Sequence, residues 1–426
     1  MKVLLSAYSC EPNKGSEPGV GWRWAIELAD LGHQVWVITR ANNQQTIEQA
    51  LSAKARSNLQ FVYYDLPAWM RTLKKGPGGI YFYYICWQWG IYQVAKSLSQ
   101  QIEFDWVHHI TFGVLRQPSF LAFLDLPFIL GPLGGGERAP YALRQSFQLK
   151  GHILDSLRDL FNLLVKIDPV SHAVYRRSTV ILCKTQQTLT SIPQRYEDKC
   201  RVYLEIGIDS PATTLSKEQQ SETWTPDAPF QVLYVGRLVY WKGLHLGLQA
   251  FAQFHQQRPE STLTVIGSGP DASWFHQLAT QLEIDSAIHW IPWMDQRELM
   301  QRYAAHNVFL FPSLHDSSGN VILESLAQGL PVICLDLGGP GVLVDQSCGR
   351  VVKTADLDEH AVVQALADRL KVLSEDVALL AQLQEGAYKR AREYQWSQLV
   401  RRLYVPIEQG TFLRTSANQQ HSRNAI

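Results

Sequence analysis

The stretch HDSSGNVILESLAQGLPVICLDLGG, His315 to Gly339, sets the fold class of this chain. It follows an apolar strand at 308–311 and holds a polar loop, a helix and a second strand at 331–336. Asp316 and Glu324 stand on either side of the loop-to-helix junction. Asn320 is expected to cap the helix, because its side-chain oxygen can accept a first-turn amide. Gly319 and Gly329 mark tight turns or close backbone approach. A helix N-terminus after small residues suits an anionic ligand. The plain alternative is that the acidic residues only complement the helix dipole.

Outward from there the same pattern repeats. Residues 231–235 form a strand, GRLVYWKG (Gly236 to Gly243) a loop, and 244–254 a helix. A strand at 263–266 ends in GSGP, beginning at Gly267, and one at 288–291 ends at Pro292 and Trp293. Near the N-terminus, a strand at 3–7 leads into YSCEPNKGSEPGVG, whose Gly19 and Gly21 could bring bare amides to a phosphate or sugar. A helix with Trp22, Ala25, Ile26 and Ala29 at helical spacing and a strand at 35–39 follow. Further strands are expected at 61–64, 106–111, 127–131, 180–183 and 202–204. Strand, loop, helix, strand is the unit of a doubly wound parallel sheet, which binds ligands at the carboxyl ends of its strands. The expected architecture is α/β, with two Rossmann-like domains facing across a cleft. Domain one spans 1–208, a polar linker 209–228, and domain two 229–390. The polar tail at 411–426 is expected to be disordered.

Arg237 and Lys242 lie just past a strand, near a helix start. Two fixed cations there can neutralise a diphosphate, arginine as a fork and lysine as a compact charge. The strand WVHHIT carries His108 and His109, which must face opposite sides because side chains alternate. The loop GPLGGGERAP, with Gly134, Gly135, Gly136 and Glu137, is expected to be a turn or a place where ligand meets backbone, not core. Between Trp69 and Lys96, Arg71, Lys74 and Lys75 precede a run of Tyr, Phe and Trp. That run is either a core helix with Ile80, Tyr84, Trp87, Ile91 and Val94 inward, or a surface for a membrane or lipid-linked acceptor. Residues 141–167 are expected to be helical, with Ile153, Leu157, Leu160, Phe161 and Leu164 on one face and Lys150, Arg158 and Lys166 interspersed as a solvated basic face, membrane contact being the lesser alternative.

The formal net charge is zero, so no global field favours nucleic acid or an anionic membrane, and no nucleic-acid partner is expected. The six cysteines include no CxxC pair, which fits reduced thiols better than a disulfide framework or zinc site. The one Asp-x-Asp, Asp356 and Asp358, is expected to be a helix cap. No apolar run reaches membrane-spanning length.

The second half, with GRLVYWKG followed by Asp316 to Glu324, resembles the GT-B retaining glycosyltransferases of family 4. There, two glutamates separated by seven residues flank a glycine-rich turn; here Asp316 replaces the first. The GPLGGGE loop resembles a bacterial subset of that family. The resemblance implies a retaining, metal-independent hexosyltransferase using a nucleotide-sugar, UDP- or GDP-linked, as substrate and needing no cofactor. It implies that Arg237 and Lys242 hold the diphosphate and that Glu324 binds the ribose. Asp316 would lie by the sugar, with Ser317, Ser318, Gly319, Asn320 and Val321 close by. Gly19, Gly21, Gly267, Pro292 and Trp293 would complete the donor side. His109, favoured over His108, would orient the sugar or the acceptor; His108, Gly135, Gly136 and Glu137 fall on the acceptor side. A helix at 391–410 would cross back to domain one. The expected acceptor is a glycan or a lipid-linked glycan, in exopolysaccharide or cell-surface glycan synthesis. The expected place is the cytoplasm, with peripheral contact at the inner membrane allowed by the aromatic-basic run. A non-catalytic nucleotide-sugar binder in polymer assembly and a nucleotide-sugar epimerase are the competing classes.

Overall fold

The computed structural model describes residues 1–53, 56–209, 225 and 228–412. The proposed linker at 209–228 lies almost wholly outside the described residues, as does the tail at 411–426 beyond its first two positions. The chain forms two compact units. One comprises Met1–Gly136, Phe161–Ile206 and Trp396–Ile426; the other comprises Glu137–Leu160 and Gly207–Gln395. Glu137–Leu160, expected within domain one, thus groups with the second unit.

Along the first part of the chain run β1 (Lys2–Ser6), α1 (Ser16–Asp30), β2 (Gln34–Thr39), α2 (Gln44–Ala53) and β3 (Leu59–Tyr63). Then come α3 (Ala68–Arg71), α4 (Gly76–Ser99), β4 (Trp106–His109), β5 (Phe128–Leu133) and α5 (Leu149–Val165). The last part before residue 206 is α6 (Pro169–Arg177), β6 (Val180–Cys183), α7 (Gln186–Ser191) and β7 (Cys200–Val202). Seven strands form one sheet in the order β3-β2-β1-β4-β5-β6-β7, with every pairing parallel. The order reverses between β1 and β4, so the crevice where such a sheet takes ligands opens at the ends of those two strands.

The second unit carries β8 (Gln231–Val235), α8 (Leu244–Gln257), β9 (Thr262–Ile266), α9 (Ala272–Gln281), β10 (Ile288–Ile291) and α10 (Gln296–Ala305). It continues with β11 (Val308–Phe311), α11 (Asn320–Ala327), β12 (Val332–Leu335), α12 (Pro340–Leu343), β13 (Gly349–Val352), α13 (Glu359–Glu375) and α14 (Val377–Glu393). Its sheet order is β10-β9-β8-β11-β12-β13, again all parallel, with the reversal between β8 and β11. The central strands β8, β11 and β12 are short runs of Val, Ile, Leu and aromatics, buried on both faces as parallel strands must be. The terminal helix α15 (Trp396–Glu408) belongs to the first unit and packs on α1.

Two local expectations are corrected. Helix α1 starts at Ser16, so Gly19 and Gly21 sit inside its first turns and not in the preceding loop. A side chain at Gly19 would collide with the Lys14 carbonyl, and one at Gly21 with that of Ser9. These glycines let the loop fold back onto its helix, and their backbones are buried against protein. The glycines of GPLGGGE are likewise packed. Gly134 and Gly136 are buried, the Gly136 amide donates to the Thr188 hydroxyl at 3.2 Å, and a Cβ at Gly136 would strike the Thr188 backbone. Gly135 has φ +92°, and its carbonyl accepts from Arg116 at 3.0 Å. Gly136 is bare because its backbone meets that of Thr188, which is a form of core packing.

Candidate functional site

In the second unit the reversal of strand order brings two loops together, 236–243 after β8 and 312–319 after β11. Gly243, at φ +69°, starts α8, and any Cβ on it would run into the Pro312 carbonyl. That bare backbone lets the loops touch: the Leu314 amide donates to the Trp241 carbonyl at 2.9 Å. The Lys242 ammonium then forms an ion pair with Asp316, and lies 5.3 Å from the centre of the Phe311 ring. Arg237, on the same loop, is exposed and has no ion-pair partner among the described residues.

The loop after β11 is held from behind by glycines. The Gly339 amide donates to the Asp316 carbonyl at 2.7 Å. Cβ atoms at Gly338 or Gly339 would strike the backbones of Asp316 and Ser318 respectively. Gly319, at φ +85°, is the cap of α11, and Asn320 is the first residue of the helix. The expectation that Asn320 caps by its side chain is therefore corrected, since no side-chain bond caps this helix. A left-handed glycine turns the chain directly into the helix, and a helix N-terminus is the kind of place that receives anions. Ser317, Ser318 and Val321 are half-buried at this turn.

Glu324, one turn into α11, is half-buried. Its carboxylate accepts from the Tyr303 hydroxyl at 3.2 Å and the Gln296 amide at 3.4 Å. Burial raises its pKa above the usual carboxylate value, against the pull of those two donors. Gly267, at φ +147°, ends β9 where a Cβ would meet the Gly236 carbonyl. Pro292 and Trp293 are exposed just past β10, Trp293 at 78%. Arg237, Lys242, Gly267, Asp316 and Glu324 thus all stand at the carboxyl end of one sheet or on the helix that follows it.

A network behind this site was not expected from sequence. His315 stacks on Trp241 with ring centres 5.6 Å apart. Its Nε2 lies 3.4 Å from Asp155, and its Nδ1 lies 2.7 Å from Arg158. Asp155 also accepts from the Tyr240 hydroxyl at 3.0 Å. Burial lowers the His315 pKa; Asp155 pulls the other way and Arg158 adds to the lowering. Both loops are therefore braced by α5. One signal was available: Gly151, Asp155, Arg158 and Asn162 recur at helical spacing opposite the apolar face.

The first unit's crevice is filled. His108 and His109 do face opposite sides, and both are buried. His108 bonds Tyr404 and the Gly131 carbonyl, each at 2.9 Å. His109 lies 3.2 Å from the Tyr84 hydroxyl and 3.5 Å from Gln88. Burial pushes His108 down to about 4 and His109 to about 3, so both are neutral. The Ser9 amide donates to Thr111 at 3.0 Å, the Phe112 amide to Glu17 at 3.1 Å, and Tyr8 packs on Tyr84, Trp87 and Phe112. Glu137 is buried, 3.8 Å from Arg158. Among the described residues no cluster of three or more His, Cys, Asp or Glu side chains could hold a metal.

Residues 216–390 match the family of glycosyl transferases group 1. Over 231 residues the chain is 27% identical to the D-inositol 3-phosphate glycosyltransferase of Corynebacterium efficiens, covering 51% of this chain and 53% of that protein. Over 206 residues it is 29% identical to the lipopolysaccharide core biosynthesis glycosyltransferase LpsE of Rhizobium meliloti, covering 47% and 57%. The chain spans about half the length of these curated relatives. Among solved structures, HepE of Anabaena in complex with UDP superposes with a TM-score of 0.60 at 17% identity, covering 96% of this chain and 100% of that one. Sucrose-phosphate synthase of Thermosynechococcus elongatus gives 0.60 at 16%, covering 96% and 98%. At such identities the likeness is one of fold, the GT-B pair of doubly wound sheets. Through residues 216–390 the chain is similar to the glycosyl transferases group 1 family.

Proposed function

We propose that the protein is a retaining glycosyltransferase that moves a sugar from a nucleotide-sugar to a glycan or lipid-linked acceptor. The observation that carries this reading is the convergence of Arg237, Lys242, Asp316 and Glu324 at the strand-order reversal of the second sheet. In glycosyl transfer the nucleoside diphosphate leaves, and negative charge grows on it. Arg237 and Lys242 meet that charge without rearranging, which lowers the barrier. Glu324 takes the ribose hydroxyls, since one carboxylate can accept from both. Asp316, with the backbone of Ser318 and Gly319, faces the sugar. The diphosphate's own oxygen helps remove the acceptor proton on the same face, so two side-chain cations suffice and the reading calls for no metal ion. A UDP-linked donor is favoured by the solved relative that holds UDP.

The acceptor side is assigned to the first unit. Along α4, Tyr83, Tyr84, Trp87 and Ile91 are buried, while Phe82, Ile85 and Trp89 are exposed, as are Trp69 and Leu73 just before it. The expected inward stripe holds at Tyr84, Trp87 and Ile91 but not at Ile80, which is exposed. The exposed aromatics beside Arg71 and Lys75 suit an acceptor with a lipid or amphipathic portion. Exopolysaccharide or cell-surface glycan synthesis on the cytoplasmic side is the setting we propose.

One observation favours a second reading, a nucleotide-sugar binder without transfer activity: aspartate at 316 reaches about 1.5 Å less far than glutamate. A screen of UDP-, GDP- and ADP-sugars for nucleotide release decides between them, with Lys242→Ala and Glu324→Ala as controls. Release from at least one donor, lost in both controls, supports transfer. Tight UDP binding with no release supports the binder, and neither binding nor release of any donor sinks both readings.

A further inference from the structure

Helix α5 is inside out. Its buried edge is polar: Gly151 lies under the Tyr240 ring, Asp155 bonds Tyr240, and Asn162 is buried. Its apolar residues, Val165 excepted, point outward. Leu149 is 76% exposed and Ile167, just past the helix, 73%; Ile153, Leu157, Leu160, Phe161 and Leu164 between them are all exposed. An apolar stripe of this kind normally packs on a core. The two acids of α5, Asp155 and Asp159, are turned inward, Asp155 against Tyr240 and His315 and Asp159 against Arg138 and Arg144. The charges left facing out are Lys150 and Lys166, one at each end.

We propose that α5 is an interfacial helix that lies on an anionic lipid bilayer, its Leu, Ile and Phe side chains sunk to the level of the acyl chains. The charge pattern selects this occupant. Lysines at the two ends can carry their ammonium groups up to lipid phosphates while their stems stay in apolar surroundings. A second copy of the chain on this face would set lysines near lysines, with no outward acid to pair them. No helix among the described residues is long and apolar enough to cross a membrane, so attachment here is along the surface. The same helix braces Tyr240 and His315, which flank Lys242 and Asp316. A docked α5 therefore carries the donor loops at a fixed height above a lipid-linked acceptor. This last consequence rests on the proposed function; the docking itself does not.

The test is flotation of the full chain with phosphatidylcholine vesicles, with and without phosphatidylglycerol, alongside a UDP titration of the same samples. The expected result is flotation about tenfold greater with phosphatidylglycerol present, weakening as salt is added. Ile153→Ser with Leu157→Ser is expected to abolish flotation while melting temperature and UDP binding stay unchanged. Lys150→Glu with Lys166→Glu is expected to remove the preference for the anionic lipid. Absence of flotation by the unaltered chain overturns the proposal, as does equal flotation of the serine variant. A concentration-dependent dimer in ultracentrifugation that the serine pair abolishes also overturns it, in favour of a second copy. If vesicles fail and UDP binds, docking alone is wrong. If vesicles bind and no nucleotide does, the donor reading alone is wrong.

Discussion

The two sheets reverse strand order in the same way, yet their two crevices have opposite contents. At β1 and β4 the space is occupied by protein: Tyr8, Tyr84, Trp87 and Phe112 pack together, and both histidines are sealed. At β8 and β11 the loops are short, glycine-braced and charged, with Arg237 exposed and Lys242 and Asp316 half-buried. A doubly wound sheet supplies the crevice, and the loops decide whether it is filled or kept for a ligand. In this chain the second crevice is lined by charged side chains and the first by packed aromatics and sealed histidines.

The largest effect that would break this contrast is on turnover. Lys242→Ala is expected to cut nucleotide release at least about 100-fold, with an unchanged thermal melt, because it removes a fixed charge at the leaving group. His108→Ala should do the reverse. It is expected to cost about 2–4 kcal/mol in urea unfolding by opening a cavity and leaving Tyr404 and Gly131 without a partner, whatever its effect on rate.

Acid should lower stability through the sealed imidazoles, His108 and His109 in the first unit and His245 in the second. His108 and His109 titrate near 4 and 3 when folded, against 6.5 for an ordinary imidazole. Between those values the unfolded chain binds protons that the folded one refuses, so stability falls as pH drops from about 6.5 towards 4. The loss per sealed imidazole is roughly 3 kcal/mol at the acid end, read from denaturant melts across pH. His108→Gln, which can keep one of the bonds without titrating, should flatten that slope. Gly267→Ala comes next: its φ of +147° and the Gly236 carbonyl leave no room for a methyl, and about 1–3 kcal/mol of stability should be lost together with UDP affinity. Smallest is Asp316→Glu. The longer carboxylate should change the ratio of rates between two donor sugars several-fold, at most about 1–2 kcal/mol of discrimination. An unchanged ratio would remove Asp316 from the sugar's surroundings.

The sheets and most strand positions were legible because parallel strands are short and mostly apolar. The charged crevice was legible too, since Arg237, Lys242, Asp316 and Glu324 have no packing reason to cluster at strand ends. What sequence hid was depth and direction. Gly19, Gly21 and Gly134 to Gly136 look like ligand loops, because a glycine demanded by a neighbouring backbone and one demanded by a ligand are the same residue. The periodicity of 141–167 gave the helix but not its orientation: an apolar face points inward only if something lies there to cover it. Asp155 and Arg158 brace the site from that helix, and their distant partners Tyr240 and His315 appear only in three dimensions.

The most direct test is hydrogen–deuterium exchange of the full chain with and without saturating UDP. Slowed exchange in 236–243 and 315–324, with 8–15 and 110–116 unchanged, is the predicted result. Slowing confined to the first unit's loops, or none anywhere with UDP, GDP or ADP, would contradict a donor site at β8 and β11.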